Sequence, residues 1–242
     1  MEEITSLQNK KIREWTSLHH KKDRDRTGLF LAEGEHLIQE ALKADAVEWI
    51  ITDETCPFSF PHVIHVTSQI MKKLSQNVSA VHLIAVCHQK KIFPAELKRV
   101  ILLDGVQDPG NLGTLIRTAV SFSFDCVYLS ENTCDVYNDK AIRSTQGALF
   151  HIPVIRGNLK DILDELRKEG FLSVATSLEK SKTFDEIPAQ DKMAFVFGNE
   201  GQGVTKEIQR QADERLRIEM HGFESLNVAV AGGIVMYHYR GK

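Results

Sequence analysis

The sequence lacks the signatures of secreted, zinc-binding and membrane-spanning proteins. No two of its cysteines form a CxxC pair or a zinc-like spacing, and no signal peptide stands at the start of the sequence. The longest apolar stretch, residues 228–236, is roughly half of what a membrane helix needs. We therefore expect reduced thiols, a soluble protein of the cytoplasm and no membrane partner. The cysteines are Cys56, Cys87, Cys126 and Cys134.

The glycine-rich segments also lack the common nucleotide-binding patterns. Gly198 and Gly203 have the spacing of a phosphate-binding P-loop, but residues 204–205 (Val-Thr) stand where a Lys-Ser/Thr pair is required. No G-x-G-x-x-G fingerprint occurs in these loops, and no Ser-His-Asp or Cys-His order stands out. His62 and His65 alternate along a predicted strand without further ligands, so we interpret them as ordinary strand residues and predict no metal.

The net charge of −3 is unhelpful for a nucleic-acid partner, but a whole-chain sum conceals local patches. Basic side chains are concentrated in the first 26 residues of the chain. Two interpretations stay open for them, a solvated helix face and a surface that contacts phosphates. The cluster contains Lys10, Lys11, Arg13, His19, His20, Lys21, Lys22, Arg24 and Arg26, of which Lys21, Lys22, Arg24 and Arg26 are the candidate RNA contacts.

Two parts of the chain differ in pattern. Residues 1–88 combine a polar helix at the start with a helical pattern over 35–44 and a short helix at 68–74. Strand-like runs lie at 48–52, 62–66 and 81–87, which together predict a small separate α/β domain. Residues 89–98 are mostly polar and contain Pro94, as in a linker.

Residues 99–242 alternate more strictly between strands and helices. Apolar runs predict strands at 100–103, 126–129, 171–175, 193–197 and 216–220, with another strand inside 148–155. Helical patterns cover 112–122, a segment from Asn158 to Gly170, and 226–239. This alternation predicts a mostly parallel sheet with helices on both faces, and such sheets bind ligands at the carboxyl ends of their strands.

Three loops of the second part follow predicted strands. They are residues 104–113 (DGVQDPGNLG), 197–204 (FGNEGQGV) and 218–227 (IEMHGFESLN). Their glycines permit tight turns and close backbone approach. Arg117 lies one to two helical turns beyond Asn111, and we expect both to face the same side. Taken singly, each loop is also explained as an ordinary turn.

Jointly the loops resemble a known family. Residues 111–119 (NLGTLIRTA), 197–203 (FGNEGQG) and 224–228 (ESLNV) are similar to the three SpoU motifs of the SPOUT superfamily, in its branch of tRNA and rRNA ribose 2′-O-methyltransferases. The resemblance covers residues 99–242, including 147–154 (GALFHIPV). Residues 30–34 (FLAEG) carry a looser similarity to that family's substrate-binding domain.

The resemblance implies a fold as well as an activity. It implies a C-terminal domain with a trefoil knot, preceded by a smaller α/β domain similar to a ribosomal protein. The helix near the knot usually pairs with its copy, and an apolar helix with Leu226, Val230, Ile234 and Tyr237 is compatible with a homodimer. Two residues depart from the family pattern, because Glu219 and Asp139 stand where prolines are common.

The resemblance also implies a site and a cofactor. S-adenosylmethionine would lie bent in a pocket of the knotted loops. Arg117 would be the catalytic residue, and because arginine stays protonated in proteins, we favour an electrostatic role over a base. Asn111 and Glu200 would orient Arg117 and the RNA. The implied cofactor-binding residues are Thr176, Gly198, Ile218, Met220, Leu226 and Asn227, the last of which would hold the loops together.

Three alternatives stay open at the level of sequence. The chain could be an RNA-binding protein with a vestigial enzyme domain, which would not bind S-adenosylmethionine. It could methylate a base rather than a ribose, or a tRNA rather than an rRNA. The similarity of the first domain to a ribosomal component favours rRNA by analogy.

Overall fold

In the computed structural model, the chain divides into two units. Unit 1 comprises residues 1–90 and 137–150, and unit 2 comprises residues 91–136 and 151–242. The structure describes residues 2–77, 79–89, 92, 94, 96–222 and 225–241. The predicted linker at 89–98 contains four residues outside this description, at 90, 91, 93 and 95, and Glu224 of the third motif also lies outside it. The predicted domain boundaries therefore stay a prediction.

Unit 1 contains a five-stranded mixed sheet in the order β1-β4-β3-β5-β2. Strand β4 pairs in parallel with β1 and β3, whereas β5 pairs antiparallel with β2 and β3. The strands are β1 (Glu2–Ile4), β2 (Leu29–Glu33), β3 (Val47–Thr52), β4 (Val63–Val66) and β5 (Leu83–His88). The helices are α1 (Lys10–Ser17), α2 (Lys21–Thr27), α3 (Glu35–Lys43), α4 (Ser68–Leu74) and, later in the chain, α6 (Asp139–Thr145).

The core of unit 1 lies between its sheet and helices α1 and α4. Ile12 and Trp15 on α1 and Ile70 on α4 are buried against Ile51 and Ile64 of the central strands. Burial of such side chains contributes about 1.5–3 kcal/mol each. The apolar spacing of the predicted helices and strands therefore reflects a real packed face.

Unit 2 contains a six-stranded sheet in the order β11-β9-β10-β6-β7-β8. Every strand pair is parallel, which confirms the predicted α/β class. The strands are β6 (Arg99–Asp104), β7 (Cys126–Leu129), β8 (Val154–Arg156), β9 (Leu172–Thr176), β10 (Met193–Gly198) and β11 (Glu214–Leu216). The helices are α5 (Pro109–Ser121), α7 (Leu159–Lys168), α8 (Lys206–Gln211) and α9 (Val228–His238).

The central strand β10 shows why helices cover both faces of this sheet. Side chains alternate along a strand. Val196 packs in a cluster with Leu163 of α7 and Ile208 of α8. The ring of Phe195, the neighbouring residue, lies 4.8 Å from the ring of Tyr239 at the end of α9. Helices α7 and α8 therefore cover one face, and α9 ends on the other.

Two predicted boundaries are corrected by the structure. The strand predicted at 216–220 instead covers Glu214–Leu216, and its last residue pairs with Thr176, the last residue of β9. The last helix begins at Val228 rather than at Leu226, because the side chain of Asn227 caps it by accepting from the Ala229 backbone N–H at 2.9 Å. Leu226 therefore belongs to the third loop.

All four cysteines are free thiols. In the part of the chain that the structure describes, no helix has the length and apolarity to cross a membrane.

Candidate active site

The three predicted loops all leave carboxyl ends of strands in unit 2. The first follows β6 and the second follows its neighbour β10. Gly105 turns the first loop with φ of +76°, a conformation that glycine adopts without strain. Its N–H donates to Ser130 Oγ at 2.9 Å. Asp108 then caps α5 by accepting from the Asn111 N–H at 2.9 Å, so the loop is fixed at both ends.

Glu200 fastens the second loop to the first. Its carboxylate accepts hydrogen bonds from the backbone N–H groups of Gln107 and Asp108, each at 3.0 Å. A third bond comes from Asn111 Nδ2, also at 3.0 Å. Asn199 also connects the two loops, since its Nδ2 donates to the Gly105 carbonyl at 2.9 Å. Glu200 therefore acts as a hydrogen-bond acceptor that positions the first loop.

Asn227 connects the third loop to the same network. Its Nδ2 donates to Asn111 Oδ1 at 3.0 Å, while its Oδ1 caps α9. Asn111 in turn donates to Glu200, so one hydrogen-bonded chain joins Asn227, Asn111 and Glu200. The structure therefore brings together three of the residues that the sequence singled out, and it does so through their side chains.

Glu200 remains a carboxylate at neutral pH. Partial burial is the largest single influence and raises the pKa of this carboxyl, but the hydrogen bonds from Asn111, Asp108 and Gln107 together hold its pKa below the ordinary value of 4.5. A general-acid role at neutral pH is therefore a poor fit for this group, and an acceptor role is a good one.

Arg117 lies apart from this network. Six residues turn a helix through about 600°, so the side chains of Asn111 and Arg117 leave the α5 axis about 120° apart rather than on one side. The Arg117 side chain is exposed. Within the described residues, no side chain or backbone group forms a hydrogen bond or ion pair with its guanidinium. The expected orientation of Arg117 by Asn111 or Glu200 is not seen, and the guanidinium is available to an external anion.

A cavity of about 700 Å³ opens beside the second and third loops. Its volume falls in the usual range for small-molecule sites. Five of the six predicted cofactor-binding residues line it, and Asn227 does not. Glu200 lines it as well, together with basic side chains that no sequence motif indicates. The predicted lining residues are Thr176, Gly198, Ile218, Met220 and Leu226, and the additional basic ones include Lys206 and Arg210.

The lining suits an adenosine-containing ligand. Ile218, Met220 and Leu226 offer apolar surface for a planar ring, and the loop backbone at residues 198–203 offers amides and carbonyls. The Thr176 hydroxyl already donates to the Val196 carbonyl at 3.0 Å, which leaves its oxygen as an acceptor. No group of three or more His, Cys, Asp or Glu residues in the described ranges is arranged to hold a metal ion.

Gly198 is required by its own loop. A Cβ at this position would lie 2.0 Å from the Gly203 carbonyl carbon and from the Val204 nitrogen. The backbone of Asn199 and Gly203 closes the loop with hydrogen bonds of 3.0 and 2.9 Å. The sequence suggested that glycine allows a ligand to come close. The structure shows that glycine at this position allows the backbone of Gly203 and Val204 to pack against it.

Gly198→Ala should therefore weaken S-adenosylmethionine binding by at least about tenfold, because the loop must open to admit a methyl group. Gly157→Ala is the matched control, since Gly157 does not line the cavity and a Cβ there meets only Ile162 Cδ1 at 3.4 Å. Isothermal titration calorimetry of both folded variants compares their affinities. Equal affinity of the two variants would contradict this role for Gly198.

The basic cluster of unit 1 divides into two kinds of residue. Lys21, Lys22 and Arg26 are exposed on α2, as a phosphate-contacting surface requires. Arg24 is buried, and its guanidinium donates to the carbonyls of Leu18 at 2.7 Å and His19 at 2.9 Å. The prediction of Arg24 as an RNA contact is therefore wrong, because its side chain closes the carboxyl end of α1 instead.

Comparison with known proteins decides the family. Residues 98–237 match the SpoU rRNA Methylase family. The chain belongs to this family. Residues 9–85 match the MRM3-like substrate binding domain. The chain is 41% identical over 248 residues to the 23S rRNA (guanosine(2553)-2′-O)-methyltransferase RlmP of Bacillus subtilis strain 168, with 100% of both chains covered.

Solved structures of the SpoU family agree. The AdoMet-bound rRNA methyltransferase from Sinorhizobium meliloti has a TM-score of 0.88 and 30% identity, covering 98% of this chain and 97% of that one. The SpoU methyltransferase AviRb from Streptomyces viridochromogenes shares the fold, with a TM-score of 0.84, 23% identity and coverage of 96% and 97%. The predicted family, the predicted class of RNA methyltransferase and the predicted cofactor are confirmed.

Proposed function

We propose that this SpoU-family chain transfers the methyl group of S-adenosylmethionine to the ribose 2′-hydroxyl of a guanosine in 23S rRNA. The observation that carries the proposal is the hydrogen-bonded chain of Asn227, Asn111 and Glu200, which joins three loops beside a cofactor-sized cavity. The full-length relative from Bacillus subtilis, whose name specifies that reaction, supports the choice of ribose and of rRNA.

The cavity residues would hold the cofactor. When bound, S-adenosylmethionine supplies an electrophilic methyl group on a sulfonium, so no metal and no covalent intermediate with the protein is needed. Ile218, Met220 and Leu226 would contact the adenine, and the backbone around Gly198 would supply polar contacts. The hydrogen bonds of Glu200 keep the first loop in place beside them.

Arg117 would act on the RNA. A ribose 2′-hydroxyl is a weak nucleophile until its oxygen gains negative character. A protonated guanidinium can form bidentate hydrogen bonds with the neighbouring phosphate and stabilise the developing alkoxide. The exposure of Arg117 and its freedom from protein partners in the described residues support this role. The proton of the hydroxyl then leaves to solvent or to a phosphate oxygen.

Lys21, Lys22 and Arg26 are the proposed phosphate contacts of unit 1. Lys21 and Arg26 form ion pairs with Asp25 and Asp23 on the same helix. Exposed pairs of this kind contribute little to stability and can be exchanged for phosphate contacts.

Neutralising Lys21, Lys22 and Arg26 to glutamine should flatten the dependence of log affinity for RNA on log salt. Each lost phosphate contact changes that slope by about 0.7–0.9. Arg24→Gln is the contrasting variant. Loss of its buried hydrogen bonds should lower the free energy of unfolding by about 1–3 kcal/mol. Fluorescence anisotropy over a salt series and thermal melting measure the two effects. An unchanged slope in the triple variant would mean that α2 is only a solvated face.

The finer features of the fold are proposals as well. After β11, at one edge of the sheet, the chain returns so that α9 packs on α5, with Gly232 against Leu115. This return supports a trefoil knot in unit 2. The match of residues 9–85 to a substrate-binding domain supports a ribosomal-protein-like unit 1. An rRNA substrate supports action in the cytoplasm.

A homodimer through α9 is the proposed assembly. Val230, Ile234 and Tyr237 form a stripe on α9 with 52%, 38% and 56% of their surface exposed. Apolar side chains at such spacing favour cover by another protein surface, and a second copy meeting across a two-fold axis provides it.

Ile234→Glu should therefore convert the protein from dimer to monomer, since it buries a charge in the interface but not in the fold. Sedimentation equilibrium measures the mass in solution. A wild-type protein that sediments as a monomer at all concentrations would contradict the proposal.

Mapping of methylation in total RNA tests the function directly. In cells that lack this gene, one 2′-O-methylguanosine of 23S rRNA should disappear, and expression of the wild-type chain should restore it. An unchanged methylation pattern in rRNA, with a loss in tRNA or on a base, would overturn the proposal.

A further inference from the structure

Unit 1 contains a cavity of about 810 Å³. It lies beside β3 and β4 and the residues 53–62 that join them. Its walls consist mainly of rings, and Val63 is its one branched aliphatic side chain among the lining residues. The ring-bearing side chains that line it are Trp49, Phe58, Phe60, His62 and His65.

Two of these rings form a stack that reaches the surface. The indole of Trp49 and the imidazole of His62 lie 4.8 Å apart at an interplanar angle of 29°. The ammonium of Lys11 lies 4.0 Å from the centre of the Trp49 ring. Trp49 is half-buried and already has these partners, whereas His62 is exposed. His62 is therefore the solvent-exposed end of the stack.

Two further contacts give this end of the stack a defined shape. His62 Nδ1 lies 3.2 Å from the Glu48 carbonyl, which fixes the orientation of the imidazole. The ring of Phe60 stands almost perpendicular to His62, at 85° with centroids 6.1 Å apart. An exposed flat ring with an aromatic wall at a right angle makes a notch for one more planar group.

We propose that this notch binds an unpaired nucleobase of the RNA substrate, stacked on His62. Every nucleobase has a face that stacks on aromatic side chains, and the cation at Lys11 adds attraction for the phosphate backbone. Thr55 and Ser59 place hydroxyl groups in the same cavity for the polar edge of a base. The inference rests on the proposed function, because it presumes an RNA substrate.

Tryptophan fluorescence tests the proposal. The chain has two tryptophans, and Trp15→Phe leaves Trp49 as the single reporter in the cavity. The probe is a short RNA of mixed sequence without self-complementarity, compared with its duplex. The single strand should quench Trp49 and the duplex should not. His62→Ala should weaken single-strand binding about 5- to 100-fold, while His62→Tyr, which keeps a ring, should retain most of the affinity.

His36→Ala is the matched control, since His36 is an exposed histidine on α3 outside the cavity. Equal affinities of His62→Ala and His36→Ala, or equal quenching by the duplex, would overturn the base site. Methyl transfer to 23S rRNA by the same proteins separates the two claims. Transfer by the wild type without quenching contradicts the notch alone, whereas quenching without transfer supports the notch and contradicts the proposed function.

Discussion

Replacing Arg117 by alanine should slow methyl transfer about 10²- to 10³-fold while S-adenosylmethionine affinity stays unchanged. The guanidinium is exposed on α5 and is not among the residues that line the cofactor cavity. Its loss should therefore remove transition-state stabilisation without touching the cofactor. Single-turnover methylation at saturating RNA isolates this step from product release. Lys168→Ala, which removes one exposed positive charge from α7, is the control for net charge.

Arg117→Lys distinguishes the two roles that an arginine could play. If the group works by charge and planar geometry, lysine should recover only part of the rate, because an ammonium lacks the bidentate fork. If it works as a base, the lysine variant should gain rate steeply at high pH, where its neutral form accepts a proton. Rate–pH profiles separate these outcomes. An Arg117→Ala variant with the wild-type rate would contradict both.

Glu200→Ala should slow methyl transfer by about 10²-fold, because it removes the acceptor of three hydrogen bonds that position the first loop. Glu200→Gln should lie between wild type and alanine. Its amide oxygen can still accept from Asp108 and Asn111, but its NH₂ group then faces the Gln107 N–H, where no hydrogen bond can form. Single-turnover rates should therefore fall in the order Glu, Gln, Ala.

The hydrogen bonds of Glu200 should weaken at low pH and not at high pH. The pKa of the Glu200 carboxyl is lowered in the folded protein. Its stabilising contribution is therefore complete above the ordinary pKa of 4.5 and is lost as the pH falls through the lower folded value. The wild-type rate should show no titration of Glu200 above about pH 5. A rate that rises with an apparent pKa near neutrality, and that loses this step in Glu200→Gln, would assign the carboxyl a proton-transfer role instead.

Much of unit 2 could be predicted because its signals are local. The apolar run of β10 and the periodicity of Leu115, Ile116 and Ala119 in α5 each lie within a few residues, and all of these side chains are buried. The carboxyl ends of such strands then place the three loops at one edge of the sheet. The sequence therefore predicted where the candidate site lies.

The contacts inside the site could not be predicted in this way. Glu200 meets the backbone of Gln107 and Asp108 across more than 90 residues of chain. In sequence, Arg24 looks like its exposed neighbours. It is buried because the fold places the carbonyls of Leu18 and His19 next to its guanidinium. Helix α6 has few apolar residues, so no periodicity predicts it, and it groups with unit 1 despite its place in the second part of the chain.

The most direct test of the proposed function is the nucleoside that the purified protein makes. The protein is incubated with S-adenosylmethionine and 23S rRNA that lacks modifications, and the digested RNA is analysed by mass spectrometry. We expect 2′-O-methylguanosine from a single position, formed by the wild type and strongly reduced with Arg117→Ala. A base-methylated nucleoside, or no methylated nucleoside from a protein that binds S-adenosylmethionine, would contradict it.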